Sequence, residues 1–190
     1  ILSSVGESGQ FIAPLSNADA RSTEEGPGVE ATQLPAKLRN LMTHAIVASR
    51  HAHILAEIEN STSAGVLTQE EDREWARLYS QHLSGIRLEL GYLAAKLEHL
   101  PVPNSDLRRM LATIARGSHY VAIPPQFITS ELGRRQTEAI LRLATELESR
   151  LRYMDPNQEA DLPSAEFFED LASLNRQVSK TEESIIFFRK

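Results

Sequence analysis

The sequence predicts an all-α protein made of elongated coiled-coil segments, separated by proline-containing breaks and assembling with partner helices. Three observations predict this fold class. Apolar residues recur at alternating four- and three-residue steps, which is the a/d spacing of coiled-coil helices. No segment alternates apolar and polar residues over the length of a strand. Prolines fall between the periodic stretches or at their beginnings, where they end or start helices.

The composition agrees with helices that pack along seams. Of 190 residues, 41% are hydrophobic but only 6% are aromatic, and the net charge is -6 without any basic block. This balance argues against a nucleic-acid surface and against an anionic membrane as partner. The chain has no cysteine, which excludes disulfides, thiolate zinc sites and thiol nucleophiles. No stretch reaches the roughly 18–20 apolar residues of a membrane-spanning helix. Because the chain starts at Ile1 rather than Met, we expect it to lie inside a longer polypeptide.

The first part of the chain divides into a tail and a long periodic segment. Residues 1–33 contain Gly, Ser and Glu punctuation without an apolar period, and we expect a disordered linker or tail. A first coiled-coil segment follows over 34–117. Its predicted helices cover about 34–60, 68–100 and 105–116.

Local signals mark the ends of these helices. Thr68 and Glu71 have the spacing of a capping box, in which each side chain satisfies a free backbone N–H at the start of a helix. Pro101 and Pro103 end the second helix. The short polar residues after Asn60 are expected to end the first helix, because their side chains compete with the helical backbone.

Two further segments complete the predicted organisation. Pro124 and Pro125 separate the first segment from a second coiled-coil segment at 126–154. A polar connection that ends at Pro163 separates the second segment from a third at 164–190. The residues at the a and d positions of all three segments form the predicted partner-binding seam: Leu34, Leu38, Leu41, Leu55, Tyr79, Leu83, Ile86, Leu90, Leu93, Leu97, Leu100, Ile140, Leu143, Leu147, Leu151, Phe167, Leu171, Leu174, Val178, Ile185 and Phe188.

A single helix with such a seam cannot fold alone. In the second helix, six large aliphatic residues contribute roughly 9–18 kcal/mol when buried. Ordering some thirty residues costs about 1–2 kcal/mol each in backbone entropy. Facing helices are therefore required, either from this chain as an antiparallel bundle or from other chains. The narrow a/d stripes favour other chains, since a self-contained bundle has wider apolar faces.

The sequence predicts no catalytic residue, cofactor or metal site, and no small-molecule substrate. His44 and His51 share a helix face, but seven residues place them about 10 Å apart, too far to chelate one ion. Adjacent acidic pairs lie at exposed helical positions. They are better explained as solvated surface residues than as general acids and bases in catalysis. The chain is accordingly predicted not to be an enzyme.

Several stretches resemble the coiled-coil region of central-channel FG nucleoporins, of the forty-nine-kilodalton yeast and fifty-eight-kilodalton vertebrate type. They are Leu34-Pro35 leading into a helix that ends Ala56-Glu57-Ile58-Glu59-Asn60-Ser61, Leu97-Glu98-His99 through Asn104-Ser105-Asp106-Leu107, a proline break before Phe127, Glu146-Leu147-Glu148-Ser149-Arg150-Leu151, and Leu162-Pro163 before a last helix. The resemblance covers about 34–190 and is one of segment order and length. The family's Phe-Gly repeats are absent from this sequence.

This resemblance implies a structural role at the nuclear pore complex, in the nucleus. The chain would form a parallel heterotrimeric coiled coil with two sister FG nucleoporins, and the trimer would dock on a short helix of an adaptor nucleoporin. Anchored FG repeats would then serve nucleocytoplasmic transport of protein and mRNA. The alternative within the same class is another helical scaffold or adaptor.

One catalytic alternative rests on a second resemblance. Residues 38–43 are similar to the arginine-finger region of bacterial secreted GTPase-activating helical domains. The resemblance implies that Arg39 would stabilise charge developing on a transferred phosphate.

Overall fold

The computed structural model describes residues 36–100, 105–117, 120–153 and 163–188. These residues form six α-helices and no strand, which confirms the all-α prediction. The helices are α1 (Ala36–Ser63), α2 (Gln69–Glu98), α3 (Ser105–Arg116), α4 (Pro125–Thr129), α5 (Glu131–Arg152) and α6 (Ala165–Phe188). None of these helices is long and apolar enough to cross a membrane.

The connection between α1 and α2 shows how polar side chains set helix ends. α1 continues to Ser63, past the end expected after Asn60, because the Thr62 hydroxyl donates to the Ile58 and Glu59 carbonyls at 2.9 and 3.0 Å. The short polar side chains here bond back to the helix instead of competing with it. The capping box at the start of α2 is confirmed. Glu71 N–H donates to the Thr68 hydroxyl at 3.2 Å, and Thr68 N–H donates to the Glu71 carboxylate at 2.8 Å.

The stretch predicted as one helix over 126–154 is divided at Ser130. Ser130 has an extended backbone, with φ -74° and ψ 153°. Its hydroxyl donates to the carbonyl of Phe127 at 2.5 Å and accepts from Gly133 N–H at 2.9 Å. Ser130 therefore ends α4 and caps α5, so the chain turns sharply where the sequence pattern indicated a continuous helix.

The four long helices form one bundle. α1 packs on α2 and α5, and α6 packs on α5 and, less extensively, on α2. His44 contacts Glu89, and His51 contacts His82, so α1 and α2 run antiparallel. The short α3 packs on the outside of α2. The buried apolar side chains of all six helices form a single hydrophobic cluster.

Polar contacts inside the bundle fix how α5 sits between its neighbours. The Thr137 hydroxyl donates to the Gly133 carbonyl at 2.8 Å and receives the hydroxyl of the fully buried Tyr79 at 2.6 Å. Burial raises the pKa of Tyr79 to about 12. Farther along, Gln136 accepts from Thr181 at 3.0 Å. Each of these buried polar groups therefore has a partner, as a well-formed core requires.

The predicted seam residues face one another inside the chain. Leu34 and the side chain of Leu38 lie outside the described part of the protein. Leu100 and Leu143 are half-buried, and Phe188 is 40% exposed. The fully buried members are Leu41, Leu55, Tyr79, Leu83, Ile86, Leu90, Leu93, Leu97, Ile140, Leu147, Leu151, Phe167, Leu171, Leu174, Val178 and Ile185. The facing helices that the seams require are thus supplied by this chain. Assembly with partner helices stays a prediction.

Some features of the sequence analysis fall outside the described residues. They are the tail at 1–33, the breaks at Pro101 and Pro103, and most of the connection between α5 and α6.

A substitution at Gly133 tests the turn between α4 and α5. A Cβ atom added there would lie 1.9 Å from the Phe127 carbonyl oxygen, so backbone atoms would have to move. We expect Gly133→Ala to lower the free energy of unfolding by about 1–3 kcal/mol, as overpacking does. Gly91→Ala in α2 is the matched control, because its nearest neighbour would be 3.7 Å away. It should leave stability unchanged or raise it by up to about 1 kcal/mol. Urea denaturation followed by circular dichroism measures both, and equal effects would contradict the close contact.

Candidate functional site

A groove runs along the outside of the bundle between α3 and α6. Both helices pack on α2, but they make few contacts with each other. The space between them has two parts, with volumes of about 750 and 460 Å³. α2 forms the floor of the larger part through Arg87. We call this space the α3/α6 groove.

The walls of the α3/α6 groove change character along its length. In the smaller part the wall from α3 is apolar, with Leu107 and Met110, and Phe168 and Ala172 face it from α6. In the larger part most of the lining residues are of polar type, although Ile186 lies at the end of α6. On α3 the groove residues Leu107, Met110 and Thr113 follow at three-residue steps, which places them on one helix face.

Arg87 at the floor is held by a complete set of partners on α6. Its Nη2 donates to the Glu182 carboxylate at 2.8 Å and to the Ser179 hydroxyl at 3.0 Å. Its Nη1 donates to the Asn175 side-chain oxygen at 2.6 Å. Arg87 is 5% and Glu182 8% exposed, so this ion pair is screened little by solvent. The arginine therefore joins α2 to α6 and is not free for an added anion.

Other charges that line the groove have no such partner. Arg116 projects from the last turn of α3, and Glu183 lies across from it on α6. Glu169 lines the apolar part. Among the described residues, none of these three side chains has a hydrogen-bond or ion-pair partner. A further cation, Arg176, lines the apolar part from α6 and donates to the Ser173 hydroxyl at 3.2 Å. The groove thus offers one cation from α3, and one cation and two carboxylates from α6, to anything that enters it.

A histidine cluster lies on a different side of α2, where α1 packs. The His51 and His82 rings share a hydrogen bond of 2.9 Å between their Nδ1 atoms, and His44 Nδ1 lies 2.5 Å from the Glu89 carboxylate. The His51 ring also fills the space above Gly85, where a Cβ would approach it to 2.7 Å. In the described part of the chain, no group of three His, Asp or Glu side chains is arranged to hold a metal ion.

The predicted partner-binding seam and the α3/α6 groove are different surfaces of the protein. No predicted seam residue lines the α3/α6 groove, because the seam residues form the core. Arg39 lies exposed near the start of α1. Sequence reasoning missed Arg87 altogether. The available signal was its position four residues after Leu83 and three before Leu90, which places a charge beside the seam.

The Arg87–Glu182 pair gives a test of how α6 is anchored. Removing one partner leaves the other charge buried alone, so Arg87→Met should lower the free energy of unfolding by about 3–5 kcal/mol. In the double variant Arg87→Met/Glu182→Met, the loss of unfolding free energy should be about 1–3 kcal/mol smaller than the sum of the losses in the two single variants. The control cycle uses Glu131 and Arg134, an ion pair on α5 with side chains 57% and 44% exposed. The coupling energy between Glu131 and Arg134 should be less than about 1 kcal/mol. Urea denaturation measures all variants, and additive effects at Arg87 and Glu182 would contradict the buried pair.

Acidification should destabilise the contact between α1 and α2. Burial lowers the pKa of His51, partly offset by Glu89, and burial together with His51 lowers the pKa of His82. The unfolded chain therefore binds protons more readily, so the free energy of unfolding should fall as the pH drops below about 6.5. The decrease in unfolding free energy should end at the pH at which both imidazole rings are protonated in the folded protein. Denaturation midpoints between about pH 7.5 and 5 measure it.

Two histidine variants separate this effect from general acid sensitivity. His82→Gln should flatten the pH dependence, because it removes one ring of the pair. His53→Gln is the control, since His53 is exposed on the same helix as His51. An unchanged pH dependence in His82→Gln would contradict a role for the pair.

No protein-family model, curated protein or solved structure matches this chain. The resemblances to FG nucleoporins and to GTPase-activating domains therefore remain predictions from the sequence. Any function has to be argued from the groove, the buried network and the surface charges themselves.

Proposed function

We propose that this chain is a structural protein-interaction module, which assembles with a partner by receiving a segment of it in the α3/α6 groove. The observation that carries the proposal is the groove itself. Its apolar part leaves Leu107 and Met110 half-buried, next to the buried Phe168, in a fold that otherwise buries its large apolar seams. Partly exposed apolar side chains in a concave surface with a charged rim are typical of protein interaction sites.

A narrower proposal places this module at the nuclear pore. As a subunit of the central transport channel, the chain would assemble with two sister FG nucleoporins and with the helix of an adaptor nucleoporin. The support is the order and length of the helical segments over 34–190. The groove supplies a surface on which an adaptor helix could dock while the bundle stays closed. The broader alternative is a helical scaffold that uses the same groove elsewhere.

The groove proposal is tested by blocking it. Ala172 is half-buried in the apolar part, so Ala172→Arg would place a long charged side chain there. We expect this variant to keep its fold and to lose its stoichiometric complex with the partner. Thr145→Arg is the matched control, because Thr145 is exposed on α5 and does not line the groove.

Photocrosslinking identifies the partner for that comparison. A photoreactive amino acid at position 172 should give a discrete crosslinked product, whereas one at position 145 should not. A complex that survives Ala172→Arg, or equal crosslinking from both positions, would contradict the groove proposal. For the narrower proposal, co-expression with the two sister coiled-coil nucleoporins should give a stoichiometric complex. A chain that stays a compact monomer beside them would overturn the nuclear-pore assignment.

A further inference from the structure

The shape of the α3/α6 groove restricts what can occupy it. Two helices form its walls and a third forms its floor. An extended peptide usually adds to the edge of a sheet, and the described residues contain no strand. Polyproline segments need grooves lined by several aromatic rings, but among the residues that the structure describes Phe168 is the one aromatic side chain that lines this groove. A helix laid between two helices is the recognition mode that remains.

The length of the shorter wall sets the length of the occupant. On α3 the groove runs from Leu107 to Gly117. At 1.5 Å per residue this wall is about 15 Å long, which matches roughly three turns of helix. The apolar part lies at the Leu107 end, so at least the first turns of an occupant there need an apolar stripe at three- and four-residue spacing.

Opposite charges face each other at the end of the groove near Gly117. α3 contributes Arg116 there, and α6 contributes Glu183 across from it. Farther along, α6 contributes both Glu169 and Arg176, whose charges offset each other. The buried Arg87 and Glu182 neutralise each other and do not change this arrangement. An occupant that carried the same sign of charge on both edges beside Arg116 and Glu183 would meet repulsion at one wall.

From these features we infer that the groove receives an amphipathic α-helix of about three turns, with acidic residues where one edge faces Arg116 and basic residues where the other edge faces Glu183. This inference rests on the proposed function and specifies its partner. Partner recognition follows from an apolar stripe flanked by edges of opposite charge, as in the e and g positions of coiled coils.

The test uses the full chain and a synthetic 14-residue peptide of zero net charge. Leucines occupy one stripe of the peptide, glutamates one edge and lysines the other, and a fluorophore reports binding by anisotropy. Circular dichroism should show that the peptide gains helix on binding, and hydrogen exchange should show added protection in α3 and α6. A scrambled peptide of the same composition should not bind, because it has no continuous stripe.

Charge reversal in the protein then tests the edges. Arg116→Glu and Glu183→Lys should each weaken binding by about two- to fivefold, as expected for rim charges. The double variant should restore binding, because it exchanges the charges at positions 116 and 183 and the peptide can bind in the opposite direction. The peptide has no net charge, so a change in the protein's total charge cannot mimic this pattern. Thermal denaturation checks that each variant remains folded.

Four results would overturn the inference. Equal binding of the scrambled peptide would show that no helix is recognised, and so would the lack of binding by either peptide. Single and double variants with equal affinity would show that the edge charges play no part. Concentration-dependent dimerisation that Ala172→Arg abolishes would identify a second copy as the occupant instead. In the first three cases the crosslinking result at position 172 still decides the proposed function separately.

Discussion

The buried arginine on α2 fixes the register of α6 against α2. Its charge lies where only 5% of the residue is exposed, so it has to be neutralised inside the protein. Its partners Asn175, Ser179 and Glu182 span two turns of α6. A slide of α6 by one turn, or a rotation about its axis, would separate Arg87 from these groups and leave a buried charge alone. Apolar contacts between α2 and α6 alone would not impose that register.

The α3/α6 groove follows from an asymmetry on α2. One turn after Arg87, the residue is Gly91, and the carbonyl oxygens of Ile114 and Ala115 on α3 lie within 4 Å of where its Cβ would be. The backbone of α3 therefore packs against α2 at Gly91, while α6 meets α2 through the long Arg87 side chain. Because α3 and α6 contact α2 in different ways and make few contacts with each other, space remains between them.

The helices could be predicted from the sequence because their signals are local. The Thr68–Glu71 capping box and the spacing of apolar residues in α2 depend on neighbours within a few positions, and both predictions agree with the structure. The split at Ser130 was missed because the apolar spacing is weak between Leu132 and Ile140 and therefore does not show where one helix ends and the next begins. The spacing shows which face of a helix is apolar, but it does not show which helix covers that face. That is why the internal bundle could not be distinguished from assembly with other chains.

The candidate site could not be predicted, since it depends on contacts between distant positions. Arg87 and Glu182 are 95 residues apart, and nothing near either residue indicates that the other will neutralise it. The groove residues Leu107, Met110 and Phe168 are ordinary apolar residues in the sequence. They become a site only because α3 and α6 stop short of each other. The sequence therefore predicts the helices and most of the core, whereas the groove depends on tertiary spacing.

A closed core also limits how the chain can assemble. For partner helices to pair with the seams, side chains such as Leu83 and Leu90 would first have to leave the core, at about 1.5–3 kcal/mol each. The Arg87–Glu182 pair would also have to break, because α2 and α6 would separate. Exchange of this kind has a barrier close to that of global unfolding. Binding in the α3/α6 groove has no such barrier, since its walls are already exposed. Assembly through the groove is for this reason the physically simpler route for any partner.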